Sequence, residues 1–133
     1  MDLHPLRIGA GADLRAELSA LLARHGVAAA FVVQGIGSLS VARLRYAGRP
    51  GFTELRGDLE IVGLGGSLSP DGPHLHVAVS DADGRVSGGH MGPGCVVRTT
   101  AEVLVALLPE WRFSREDDPA TGYKELFVHG PAR

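Results

Sequence analysis

The chain holds a single cysteine, so it forms no internal disulfide and is not one of the disulfide scaffolds of small secreted proteins. That cysteine usage points to the reducing cytoplasm. No stretch approaches the roughly 18 to 20 consecutive apolar residues needed to span a bilayer. The opening residues, MDLHPLRIGAGADL, lack the basic and apolar regions of a secretory signal. An excess of positive charge is missing too. The net charge is −2, with acidic and basic residues mixed along the chain, whereas nucleic-acid binders usually show a basic footprint. Internal repeats, low-complexity tracts and linkers are absent. What remains is one domain over residues 1–133, long enough to bury its own core. Cys95 reads as a small buried hydrophobe within it.

Glycine is what the chain has in quantity: 19 residues, about twice the usual share of roughly 7%. Many turns and close backbone contacts are expected. Leu14, Leu18, Leu21 and Leu22 recur at the spacing of an amphipathic helix near the N-terminus. Asp13 is placed to cap its start and Gly26 to stop it. After this helix the pattern changes to strands. VAAAFVVQGIG is a short buried run, SLSVARLRY alternates, and GDLEIVGLGGSL is apolar with glycines that mark bulges or close approach. PHLHVAVS and GRVSGGHM flank the turn signal DADG, and the β-branched start of GCVVRTTAEVLVALLP favours a strand. ELFVH is expected to close the sheet. The fold class is therefore α+β: a mainly antiparallel sheet, one N-terminal amphipathic helix and short additional helical pieces.

Three of the six histidines fall within residues 73–91, PHLHVAVSDADGRVSGGHM. On a strand, His74 and His76 share a face while Leu75 points the other way. Their Cα atoms lie about 6.6 Å apart at a rise of roughly 3.3 Å per residue. In DADG, Asp81 suits the first position of a type I turn and Gly84 the last. The same residues suit a three-residue hairpin loop in which Gly84 supplies the left-handed bulge position. That loop pairs Asp81 with Arg85, so His76 falls opposite His90 and His74 on its diagonal. Opposed residues project to one face, and all three imidazoles crowd together. A slip of one residue would set His90 beside Leu75 and break the cluster.

Three neutral imidazoles suit zinc or a similar divalent transition metal at about 2.0–2.1 Å, with a fourth position open to water or a small-molecule ligand. Affinity order alone also permits nickel or copper. His4, His25 and His129 show no such convergence and read as surface residues. A cupin also begins its metal motif with His-x-His. Cupins place a glutamate four or five residues after the second histidine, however, and here those positions are Ser80 and Asp81. Their third histidine also lies on a distant strand, while His90 is on the next one.

GIGSLSVARLRY, GDLEIVGLGGSLSPDGPHLHVAVSDADGRVSGGHMGPGCVVRTTAEV and FSREDDPATGYKELFV, in that order, resemble the prokaryotic form of the plants-and-prokaryotes-conserved domain. The likeness runs from about residue 3 to residue 129. It implies an α+β fold with a mainly antiparallel sheet, a homotrimer, and a metal held by His74, His76 and His90. It also implies similarity in fold to acetolactate decarboxylase, whose zinc sits on a His-x-His and a third histidine. Plant members join the domain to AT-hooks, and the family carries a DNA-binding label. Here AGRPG at 47–51 lacks the flanking basic residues of an AT-hook. Without a Lys/Arg cluster, counterion release does not supply the usual affinity, so DNA is not an expected partner.

Three functions follow, in decreasing order of preference. The first is a metal-binding domain without a demonstrated reaction. The second is a zinc-dependent enzyme acting on a small carbonyl or carboxylate substrate, and the third a DNA-associated regulator. An enzyme needs a proton donor or acceptor besides its ligands. Glu60 on a neighbouring strand, and Arg115 and Glu116 in FSRED, are the candidates. Each also reads as a structural ion pair or turn residue.

Overall fold

The computed structural model describes residues 1–131. Strand β1 (Asp2–Gly9) leads into two short helices, α1 (Leu14–Ser19) and α2 (Leu21–His25). Strands β2 (Ala30–Arg45), β3 (Thr53–Ser69), β4 (Gly72–Ser80), β5 (Val86–Met91) and β6 (Val96–Leu107) follow, then β7 (Arg112–Asp118) and β8 (Tyr123–His129). The first six strands form one antiparallel sheet in the order β1-β6-β2-β3-β4-β5, and β5 also pairs back onto β2. The fold is α+β and dominated by antiparallel strands.

The helical stretch is capped as its sequence dictates. The Asp13 carboxylate accepts from the Ala16 amide at 3.0 Å, and Gly26 ends α2 in the left-handed region at φ 64°. Leu14, Leu18, Leu21 and Leu22 are all buried, yet Ala20 divides the stretch into two helices rather than one. Packed against β4 and β6, α1 adds its leucines to a core that includes Leu39, Leu44, Val79, Val97 and Val105.

VAAAFVVQGIG and SLSVARLRY are not two strands but one, β2, bent by register shifts near Val32 and Leu39. The bends let β2 pair with β3, β6 and β5 at different points along its length. GCVVRTTAEVLVALLP supplies β6, a strand as expected. Two further expectations need correction. The N-terminal segment is itself a strand, β1, on the edge of the sheet beside β6; Pro5 within it masks the pattern, although an edge strand tolerates proline. ELFVH does not close the main sheet. It belongs to β8, which among the described residues pairs only with β7, in a separate two-stranded sheet. The β5 edge is already taken by β2, and the loop 118–122 folds β8 locally onto β7: Gly122 donates to the Asp118 carbonyl at 2.8 Å.

Candidate metal centre

The β4–β5 hairpin is built on its turn. The Gly84 amide donates to the Asp81 carbonyl at 3.0 Å and the Asp81 amide to the Arg85 carbonyl at 2.9 Å. Gly84 sits at φ 78°, the left-handed conformation the loop demands. The Asp81 carboxylate fixes the loop further, accepting from the amides of Asp83 and Arg85, each at 2.9 Å. The register that follows sets His76 opposite His90.

Alternation does the rest. Leu75, Val77 and Val79 enter the core, each 3% exposed or less, and this anchors β4 with His74 and His76 on its outer face. Gly66 of β3 lies opposite Leu75, where any Cβ would collide with the backbone at His74, so β3 approaches closely just behind the site. The ring centroids of His74 and His76 are 4.9 Å apart, those of His76 and His90 4.6 Å, and those of His74 and His90 5.2 Å.

One ligand atom from each ring lies within 4.8 Å of the other two. A tetrahedral ion with bonds of 2.0–2.1 Å needs its nitrogens about 3.3 Å apart. No tight packing holds the rings at the wider spacing, since His76 is exposed and the other two are only partly buried. The donor set fits a divalent transition ion. Burial holds the His74 imidazole below the usual histidine range, and Arg115, His76 and His90 push the same way against the opposing charge of Glu125. Burial also lowers His90, followed by Arg45 and then His76. Both shifts favour the neutral ring, the form that binds a metal.

Two clefts meet at these rings. One, of about 470 Å³, is lined by Phe31, Ser67, His74, His76, Arg115 and Glu125 among others. The second, of about 550 Å³, shares His74, Arg115 and Glu125 and adds His90 and Arg45. Arg115 therefore stands beside the histidines. Its guanidinium donates to the buried Ser67 hydroxyl at 2.7 Å, and its amide donates to the Asp71 carboxylate at 2.9 Å.

Glu60 and Glu116 are not brought to the rings. Glu60 pairs with Ser80, four residues along β4 from His76. The Glu116 carboxylate accepts from the Ser114 hydroxyl at 2.7 Å and lies 3.6 Å from the His129 ring. The acid that does line both clefts is Glu125, on β8, which no motif in the sequence singled out. Treating Asp118–Gly122 as a hairpin turn would have brought Glu125 onto the strand beside β7, but opposite Glu116 and not Arg115, so its place in the clefts is a tertiary result.

His4 and His25 lie at the surface as expected, His25 exposed and His4 half-buried, and their rings meet edge to face at 4.3 Å. Once β1 is a strand, His4 comes within reach of the end of α2. Cys95 is fully buried, as expected; its sulfur accepts from the Arg43 amide at 3.3 Å, and burial pushes its thiol up. Among the described residues, no helix is long and apolar enough to cross a membrane.

Comparison with known proteins extends these findings. Residues 1–109 match the family described as the Plants and Prokaryotes Conserved (PCC) domain. A hypothetical protein of Salmonella enterica superimposes with a TM-score of 0.93 at 40% identity, covering 97% of this chain and 94% of that one. A protein of Archaeoglobus fulgidus described as metal-containing gives a TM-score of 0.77 at 28% identity, with coverage of 96% and 94%. One from Ralstonia eutropha, described as a candidate DNA-binding protein, gives 0.76 at 27% identity, with coverage of 92% and 89%. The bifunctional protein GlmU of a Synechococcus strain is 50% identical over 128 residues, 96% of this chain and 20% of that protein. The chain thus spans about a fifth of the length of the curated relatives it matches.

Proposed function

The chain belongs to the Plants and Prokaryotes Conserved domain family, and from that premise we propose that it is a metal-binding protein. His74, His76 and His90 hold one divalent transition ion, zinc before others, with a position left open to a small ligand. The observation that carries this reading is the convergence of three imidazole nitrogens within 4.8 Å on one hairpin. The metal-containing description of the Archaeoglobus relative supports it. In this reading the protein works in the cytoplasm as a homotrimer. The exposed apolar side chains Phe31, Val33 and Ile36 along β2 support a subunit contact.

An ion held this way polarises a carbonyl or acidifies a bound water. The neighbouring side chains supply what catalysis on a small carbonyl or carboxylate substrate needs. Arg115 offers positive charge beside the ligands, and Glu125 offers a carboxylate that takes or returns a proton. This second reading rests on the placement of those two residues in the clefts. A DNA-binding role gains less support, because a net charge of −2 gives little electrostatic attraction to a duplex.

Elemental analysis of the purified protein tests the proposal. About one zinc per chain is expected, and His74→Ala, His76→Ala and His90→Ala should each remove most of it. Circular dichroism should show all three folded, because a chain with its own core does not depend on the ion as a zinc finger does. Equal metal content in wild type and His90→Ala would sink the reading.

A further inference from the structure

Arg45 is the direct cross-strand neighbour of His90. Opposed residues share a face, so its guanidinium starts from the same row as the histidines. Arg115 stands on the other side, and Arg15 of α1 lines the same cleft of about 550 Å³. Three arginines thus converge on one concavity in a chain whose net charge is −2.

None of these arginines is held in an ion pair among the described residues, although Arg115 gives one guanidinium N–H to the Ser67 hydroxyl. The ion pairs among the described residues engage Arg24, Arg56, Arg98, Lys124 and His129. Arg15, Arg45 and Arg115 are not among them. Of the two acids on the cleft, Asp71 already accepts from the Arg115 amide and Glu125 from the Thr121 hydroxyl. Guanidinium groups in a concave site, without carboxylate partners, match the geometry of carboxylate and phosphate oxygens.

We propose that this cleft binds a small molecule bearing an oxyanion, carboxylate or phosphate, gripped by Arg45 and Arg115 beside the three histidines. The inference deepens the metal reading, on which it rests for a second contact: Arg45 and Arg115 would hold the oxyanion, and an ion on His74, His76 and His90 would supply a Lewis acid beside it. The volume suits a compact metabolite. A duplex is a different occupant, because its phosphates are spaced along an extended surface rather than gathered in a pocket.

The test is calorimetric titration of the zinc-loaded and the metal-free protein, each dialysed free of unbound ion. The probes are inorganic phosphate, pyruvate and, as an uncharged counterpart of pyruvate, acetone. Phosphate or pyruvate should bind at one site per chain and acetone should not. The tighter of the two identifies the oxyanion. Arg45→Gln and Arg115→Gln should each weaken that binding about tenfold or more, the consequence of losing a charge-assisted hydrogen bond. Their zinc content should stay at the wild-type value. Arg7→Gln, on a different cleft, should change nothing. Because Arg115 also bonds Ser67, Arg45→Gln alone decides the outcome if Arg115→Gln melts early.

Zinc at one per chain with no binding of either anion would overturn the inference and leave the metal reading standing. So would anion binding indifferent to both substitutions. Anion binding that depends on the arginines in a protein that takes up no zinc would uphold the oxyanion site and remove the metal.

Discussion

Two of the chain's hairpins, β4–β5 and β7–β8, are similar in size and have opposite relations to the core. In β4–β5, the strand β4 drives Leu75, Val77 and Val79 into the interior, and its other face carries His74 and His76. In β7–β8 the only buried side chain among the strand residues is Phe113, which packs edge to face on Phe31 at 5.7 Å. The first hairpin is therefore a wall of the molecule. The second is a flap held by one aromatic anchor and a few polar contacts, among them Arg115 to Ser67. The three histidines lie on the wall, while Arg115 and Glu125 lie on the flap. The histidines thus stand on the more firmly anchored element, and Arg115 and Glu125 ride on the less buried one.

The largest test of this contrast is Phe113→Ala. Truncating a buried phenylalanine typically costs about 3–5 kcal/mol. Here the loss should also loosen β7–β8, so thermal melts should fall while zinc content stays at the wild-type value. Metal loss in step with stability would mean that the two hairpins are not separable. Leu75→Ala attacks the wall from behind. It should cost about 2–5 kcal/mol in chemical denaturation, yet the folded variant should keep its ion, because Leu75 faces away from the rings.

A smaller and sharper comparison uses the two turns. The Asp81 carboxylate accepts from two amides, and the Asp118 carboxylate accepts from the Ala120 amide at 2.8 Å. Asp81→Ala and Asp118→Ala should each cost about 0.5–1.5 kcal/mol per hydrogen bond lost. Only Asp81→Ala should weaken zinc binding in a competition titration, because only that turn sets the register of His90.

The smallest effect expected is in pH dependence. His74 and His90 have folded pKa values below the usual value of about 6.5. Between that value and the lowered ones, the unfolded chain binds more protons than the folded one. Their contribution therefore costs the metal-free protein stability as pH falls below about 6.5, and it vanishes above neutrality. Melting temperatures of wild type and of a His74→Gln/His90→Gln double variant should converge at pH 8. At pH 5.5 the wild type should fall relative to the variant. A wild type that gains on the variant as pH falls would show the sign to be wrong.

The same contrast explains what the sequence made legible. The β4–β5 register was readable because turn chemistry and strict alternation are local, and both are written in Asp81, Gly84 and the Leu75-Val77-Val79 row. The cap at Asp13 and the stop at Gly26 are local as well. Pro5 disguised β1, so His4 could not be placed beside His25. The unity of β2 depends on bulges whose partners are distant strands. The flap was hardest to read. Its strands, RFSREDD and YKELFVH, carry charge and little burial, so hydrophobic periodicity said nothing, and Glu125 went unnoticed while Glu60 and Glu116 were put forward. Arg115 was named from its motif, but its position beside the histidines depends on the tertiary contact with Ser67.

X-ray absorption at the zinc edge of the stoichiometrically loaded protein tests the central claim most directly. Three imidazole shells at about 2.0–2.1 Å, with one further oxygen or nitrogen neighbour, are expected. Two or fewer imidazoles, or a sulfur neighbour from Cys95, would contradict a three-histidine centre on the β4–β5 hairpin.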